Sequence, residues 1–442
     1  MCDGFQFVGR IPYLSTEPRH LVVASEVATM NFLRLHDIPV PKIYDYSATP
    51  DNGAGTEYMF MELAHGKNLC DIWFDLSTKA RITVVTKLVE SESRLFSLTL
   101  SSKWVEVPIV DSACDGHFCI IPNTKLSLWH GKRLNIETDR GPYPAAALEA
   151  EAKKEISYLT KFGRPLHPFQ RLHREIYGYQ ARSPSGHLIG NSTLVRPTMR
   201  HPDLQPNNIF ASDDFSITSV IDWQHCTILP LFLQCGIPNS LQNYGDNISE
   251  LLTLRGLPSN FELSENAKSH EVMLLRRRQL HFFYVVATAS LNPTHHDALT
   301  DNFGTLRRKL FEHAGYPREG DIATLKNDLI YLTKKWDEVV ASKSNTGDET
   351  SNPCPIAFSE DEVAECLRLN YAQLEADKSL RNCRDVIGIG TEGWVPVEQY
   401  DEIKQREQEF MAAVLEAADS EGEGQNILEH WMFDNFDEEE YS

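Results

Sequence analysis

The sequence predicts an α+β fold, and three features of its patterning carry that prediction. The chain opens on a short alternating run of strand formers, followed by a helix and two further strands, which together make a small sheet with one helix. A second strand–turn–strand pattern lies in 198–230. Most of the remainder shows the 3.6-residue periodicity of amphipathic helices.

In chain order, F-Q-F-V-G-R-I at 5–11 alternates as a strand and Pro12 punctuates it. A helix is predicted from Val22 to His36, with Val23, Val27, Met30 and either Leu33 or Phe32 facing inward; Pro39 and Pro41 end it. Strands follow over Lys42–Ser47 and Thr56–Glu62, separated by the turn-rich T-P-D-N-G-A-G. Ser77 is the expected N-cap of a helix that turns Ile82, Val85, Leu88, Val89, Leu95 and Phe96 to one side. Residues 104–143 read as short aromatic-rich strands and turns, and helices are expected at 145–162 and 167–181. Beyond the motif region helices are expected at 264–290, 303–315 and 321–341. A polar linker occupies 342–358, and an acidic helical extension (helices at 359–380 and 396–420) runs to Ser442. The domain reading is therefore 1–65, 66–341, the linker 342–358 and the extension 359–442.

A chain of 442 residues, 41% hydrophobic and 24% charged, has ordinary globular composition and enough apolar content for two or three packed sub-domains. Its formal net charge of −21 opposes nucleic acid or anionic lipid as main partners, because those associations rest on clustered Lys and Arg. The run Arg276, Arg277, Arg278 reads as a solvated helix face rather than a nucleic-acid patch. The nine cysteines are scattered and odd in number, with no C-x-x-C pair and no secretory signal before them, which predicts reduced thiols. No apolar run reaches the length of a membrane span. The terminal F-D-E-E-E-Y-S reads as a solvated charged end, with a docking segment for a protein partner as the alternative.

The chemistry concentrates in R-H-P-D-L-Q-P-N-N-I-F at 200–210 and V-I-D-W at 220–223. His201, Asp203 and Asn208 fall in the order H-x-D-x-x-x-x-N, and Asp222 follows on an apolar run. Phosphoryl transfer needs a carboxylate near the acceptor hydroxyl and oxygen ligands that fix Mg²⁺ on the phosphates. An Asp, an amide five residues on and a second Asp beyond a hairpin meet those needs. Asn208–Phe210 reads as one strand, Ser212–Asp214 as the turn and Ser216–Asp222 as the return, so antiparallel pairing sets Asn208 and Asp222 at the same open end. A lone H-x-D often only caps a turn. His201 is expected to orient the loop or bond the backbone rather than act as a base.

These segments resemble the catalytic region of the aminoglycoside phosphotransferase and choline kinase-like family, which shares the protein-kinase fold. The wider stretch from V-A-S-E-V-A-T-M through L-F-L-Q-C-G-I-P is similar to the fungal subgroup containing altered inheritance of mitochondria protein 9. That similarity runs over roughly residues 3–315 and continues into the extension. The resemblance implies a bilobal kinase-like fold, with ATP and Mg as cofactors and a small molecule as the hydroxyl-bearing acceptor. It implies Asp203 as catalytic base with His201 beside it, and Asn208 and Asp222 as magnesium ligands. Arg10, in F-V-G-R-I-P, would contact phosphate, and Glu26 would pair with it from the helix. F-M-E-L-A-H-G at 60–66 would be the hinge, with backbone groups of Glu62 and Ala64 along the adenine.

The family's Gly-rich phosphate loop has no counterpart ahead of Arg10, where Gly4 alone cannot make one. Three readings follow: a coding sequence that starts upstream, a truncated paralogue with little activity, or a protein that binds nucleotide or a partner without turnover. The acid the family often carries after I-D-W is Gln224 here. The expected function is an ATP- and Mg-dependent phosphotransferase, with a catalytically impaired pseudokinase in mitochondrial maintenance as the alternative. Protein-kinase activity is a weak third reading, since no A-P-E follows I-D-W. Localisation is mitochondrial by resemblance, with the cytoplasm as alternative because the chain shows no presequence.

Overall fold

The computed structural model describes residues 4–13, 16–98, 124, 128–129, 131–136, 153–158, 160–162, 193–254, 265–315, 323–341, 353–389, 395, 397–429 and 431. The strands and turns expected over 104–143, the helix at 167–181, the polar stretch 342–352 and the last eleven residues lie largely or wholly outside them. The chain packs as two units. The first joins residues 1–130, 137–150 and 189–305; the second joins 131–136, 151–188 and 306–442.

The first unit begins with β1 (Phe7–Arg10), α1 (Arg19–Leu35), β2 (Ile43–Ser47) and β3 (Tyr58–Glu62). The strands form one antiparallel sheet in the order β1-β3-β2. Val8 lies opposite Met61 and Arg10 opposite Met59, so strand alternation gives these four side chains a common face. Met59 and Met61 are buried there, as are Val22, Val23, Val27, Met30 and Leu33 of α1. Leu33, not Phe32, takes the innermost position. Pro18 precedes α1 without a side-chain cap bond. Packing therefore holds this helix, each fully buried Val, Leu or Met contributing roughly 1.5–3 kcal/mol.

After β3 come β4 (Lys67–Asn68), α2 (Leu69–Ile72) and α3 (Thr78–Ser97). Ser77 caps α3 by accepting from the Ala80 N–H, as expected. The buried face of α3 carries Val84, Val85, Leu88, Val89, Leu95 and Phe96, while Ile82 is 42% exposed, a correction to the expected face. Two more small sheets follow. Strand β5 (Pro197–Arg200) pairs with β8 (Thr227–Pro230), and β6 (Ile209–Ala211) lies between β4 and β7 (Ile217–Val220). The short helices α4 (Leu231–Gln234) and α5 (Asn247–Glu250) lead to α6 (Glu265–Leu291), which packs along α3, and to α7 (Pro293–Leu299). Asn292 caps α7 and Pro293 occupies its first turn. This helix lies between the expected helices 264–290 and 303–315, and the Asn292-Pro293 pair is its start signal.

Of the basic run of α6 only Arg277 is exposed as expected; the other two arginines are engaged. Arg276 is buried, donates to the carbonyls of Trp73 and Phe74 and lies over both rings. Arg278 pairs with Asp246 at 2.6 Å. A sheet-and-helix portion followed by helices is the α+β plan expected. No helix among the described residues is long and apolar enough to cross a membrane.

In the second unit residues 153–158 and 160–162 are helical, and Arg133 makes a bidentate pair with Glu155 at 2.6 and 2.8 Å. Its helices are α8 (Gly304–Gly315, from Leu306 on), α9 (Ala323–Ala341), α10 (Glu360–Ile387), α11 (Tyr400–Glu416) and α12 (Glu421–Glu429). Ser359 and Glu362 form a capping box at the start of α10, and Gly388 ends it in the left-handed conformation that glycine adopts without strain. The expected helix stopped short at 380; the Gly388 signal lies a turn or two further on.

Candidate phosphotransfer site

The loop from Arg200 to Asn208 is held from inside by His201. The imidazole is 4% exposed. It bonds the Ile221 carbonyl through Nε2 at 2.8 Å and accepts the Asp203 N–H at Nδ1 at 3.1 Å. Both nitrogens are thus committed to backbone. Burial lowers its pKa, the Ile221 bond opposing, so the ring stays neutral and acts as a brace. Trp223 packs edge-on against it at 4.6 Å, is itself 2% exposed, and donates its indole N–H to the Val220 carbonyl. The tryptophan of I-D-W is therefore the anchor that fixes the end of β7.

Asp203 and Asn208 meet across the loop. The Asn208 amide donates to the Asp203 carbonyl at 2.9 Å and lies 3.4 Å from its carboxylate, whose other oxygen accepts from Gln205 at 2.7 Å. Asn208 ends a single 3-10 turn, Pro206–Asn208, rather than starting the strand as expected. Because Ile209 pairs with Val220, the Ile221 N–H reaches the Asn208 carbonyl at 3.0 Å. Asp222 comes next, at the open end of the hairpin, in the left-handed region with φ of 64°. Short polar residues tolerate that region best, and here it turns the chain sharply after β7.

Arg10 joins this end from far away in the sequence. Its Nη1 lies 2.6 Å from Glu26 Oε1, and its Nη2 lies 2.6 Å from Asp222 Oδ1 and 2.7 Å from Gln224 Oε1. Glu26 sits at helical spacing among the buried residues of α1 and is 4% exposed. Burial pushes its carboxyl up to about 7; Arg10 and a bond from the Trp223 backbone oppose the rise, and Asp222 adds to it. Burial works against the Arg10 charge too, but Glu26 and Asp222 outweigh it and raise its pKa. The site is thus a cation shared by two carboxylates and one neutral amide. Gln224 is the residue that sequence reasoning undervalued; its only signal was its place two residues after Asp222.

The hinge segment lies apart from these groups. The Glu62 N–H is taken by the Lys42 carbonyl at 2.8 Å, and its carboxylate accepts from the Lys42 N–H at 3.0 Å. Ala64 is half-buried, and no hydrogen bond among the described residues takes up its backbone groups. A cavity of about 430 Å³ lies against the hinge, lined by Arg34, Asp37–Pro41, Glu62–His65, Thr218 and Ser219, and includes none of Arg10, Asp203, Asn208 or Asp222. Gly66 closes the hinge at φ of 102°, where an added Cβ would lie 2.6 Å from the Ala211 carbonyl oxygen.

The residues fit a magnesium ion in kind. Asn208 uses its amide nitrogen inward, which leaves its oxygen, and Asp222 Oδ2 makes no hydrogen bond among the described residues. Amide and carboxylate oxygens are the hard donors this ion prefers, with substrate phosphates completing the shell. Among the described residues no group of three or more His, Cys, Asp or Glu is arranged to hold a metal by itself.

No family model matches the chain. It is 25% identical, over 98% of its length and 92% of the relative's, to a subtelomeric hrmA-associated cluster protein of Aspergillus fumigatus. It is 21% identical, over 92% of its length and 73% of the relative's, to altered inheritance of mitochondria protein 9, mitochondrial, of Clavispora lusitaniae. The expected fungal subgroup is among its relatives. Among solved structures it is similar to the GDP complex of aminoglycoside 2'-phosphotransferase-IIIa, with 12% identity over 76% of this chain and 86% of that one and a TM-score of 0.29. A score at that level carries no weight for the site, which rests on the contacts above.

Proposed function

We propose that this protein is a phosphotransferase that moves the γ-phosphoryl group of ATP to a hydroxyl of a small-molecule acceptor, with Mg²⁺ as cofactor. The observation that carries the reading is the 2.6 Å contact of Arg10 with Asp222, 212 residues apart, beside Asn208 at the mouth of the same hairpin. Asp203 is the base: it takes the acceptor's proton as the new O–P bond forms and the bond to the ADP oxygen breaks. His201 holds the Asp203 backbone and so aims the carboxylate. Magnesium, held by Asn208 and Asp222, would offset the phosphate charge. Arg10, oriented by Glu26, supplies a forked cation to phosphate oxygens. Ala64 offers hinge backbone groups to the adenine, and Glu62 its carbonyl, since its N–H is taken by Lys42.

Thermal unfolding with and without Mg-ATP tests this reading. The parent chain should shift upward, Asp222→Ala should lose the shift, and Asp203→Ala should keep the shift while turnover falls about 10²–10⁴-fold. Absence of a shift in the parent would sink nucleotide binding; turnover that survives Asp203→Ala would overturn the base assignment.

One observation supports a second reading, a non-catalytic nucleotide-binding or scaffold protein in mitochondrial maintenance: the Arg10 cation is engaged by Asp222 and Gln224 as well as by Glu26. A Mg-ATP shift without turnover across a panel of hydroxyl acceptors would favour it. We infer a mitochondrial location, with the cytoplasm as alternative, on the support of relatives that carry the mitochondrial name; fractionation of cells expressing the tagged protein decides between them.

A further inference from the structure

We propose that Gln224 is a positioning residue that anchors Arg10 through a neutral contact and so keeps the cation's charge for an incoming phosphate; this rests on the phosphotransferase reading above. Three acceptors surround the Arg10 guanidinium, and they are not equivalent. Glu26 takes Nη1 from α1 at 2.6 Å and is buried, so it holds that nitrogen in a fixed place. Asp222 and Gln224 share Nη2, at 2.6 and 2.7 Å. Asp222 is assigned to the metal, and its side chain is 41% exposed. Gln224 is the one acceptor that is neither charged nor needed by a metal.

The chemistry of the amide follows from that position. Its oxygen orients Nη2 and is itself occupied by that bond at 2.7 Å, so it is committed to the cation rather than to a metal. It also adds no negative charge. With Glu26 ionised, the guanidinium, Glu26 and Asp222 together carry a formal −1, and a carboxylate at position 224 would add one further negative charge beside the place where triphosphate binds. At a partly buried site one added charge within several ångströms of a phosphate is strongly repulsive. The backbone supports this use of Gln224: the turn that starts with Asp222 at φ of 64° and ends at His225 with φ of 61° holds residues 222 and 224 on the same guanidinium nitrogen.

The test compares two variants of nearly equal shape, Gln224→Glu and Gln224→Met, by calorimetric titration with Mg-ATP at two ionic strengths, alongside steady-state kinetics. Gln224→Glu should weaken Mg-ATP binding about ten-fold at low salt, and the loss should shrink at high salt, as a charge effect must. Gln224→Met, which loses the anchor but adds no charge, should keep Kd within about three-fold and lower kcat instead. A Gln224→Glu variant that binds Mg-ATP as the parent does, or two variants equally weakened at both salt concentrations, overturns the inference while leaving the phosphotransferase reading intact. A parent chain that binds no Mg-ATP overturns that reading, and the role of Gln224 falls with it.

Discussion

At the scale of single residues, Glu26 is the group whose ionisation matters most. Its carboxyl is raised to about 7 by burial, above the ordinary value of 4.5. A raised carboxyl stabilises the fold fully below its unfolded pKa and loses that contribution as pH rises through the folded one. Stability should therefore decline between about pH 4.5 and 7 by roughly 3 kcal/mol from this group. Glu26→Gln, which stays neutral, should gain on the parent across that window, and the difference between their melting temperatures should level off above pH 7. A flat difference would show that Glu26 ionises normally. Activity should move the other way in the parent, rising as Glu26 ionises and fixes Arg10; the same variant should lose that rise. His201 supplies the contrasting case: its lowered pKa means that its contribution is present above the unfolded value and is lost in acid.

At the scale of elements, two contacts hold the segment from Arg200 to Asp222 in place. Gly66 brings the hinge so close to β6 that an alanine there would meet the Ala211 carbonyl and the Thr218 hydroxyl, in a backbone region that L side chains rarely adopt. Gly66→Ala should destabilise the protein by about 2 kcal/mol or more in urea unfolding, and a change within a few tenths would refute the close approach. The second contact is buried. Arg200, the residue before His201, reaches Glu92 of α3 at 3.0 Å and the carbonyls of Gln234 and Gly236 at 3.0 and 2.8 Å, and Tyr284 of α6 donates to Glu92 at 2.5 Å. Glu92 and Tyr284 are almost wholly buried. Removing one partner of such a network leaves an uncompensated charge. Glu92→Ala should therefore destabilise by about 3–5 kcal/mol, with Asp203 chemistry impaired in proportion. Tyr284→Phe, which leaves the ion pair, should lose only about 1 kcal/mol.

At the scale of the whole molecule, the net charge of −21 disfavours polyanions as main partners. The protein should pass through an immobilised polyanion at about 0.1 M salt, since two of the three arginines in its densest basic run are engaged inside the protein. Retention under those conditions would contradict the exclusion of nucleic acid. A nucleotide remains compatible with this charge because a local cation such as Arg10 can offset it, within a site whose sign the global total does not set.

Local features were legible without a structure. The spacing of His201, Asp203, Asn208 and Asp222 around one turn sufficed to place Asn208 and Asp222 at one hairpin end, because antiparallel register follows from turn length. Helix α3 was foreseen from its cap and α1 from its periodicity, both set by neighbours within a few residues. Decisions between equally periodic faces needed the tertiary structure: Leu33 rather than Phe32 inside, Ile82 left exposed, Arg276 buried against Trp73 and Phe74. The same holds for the placement of Arg10 on Asp222 and Gln224. Which strand face meets which helix, and which remote loop closes over both, depends on packing between segments more than 200 residues apart, and no local periodicity encodes that meeting.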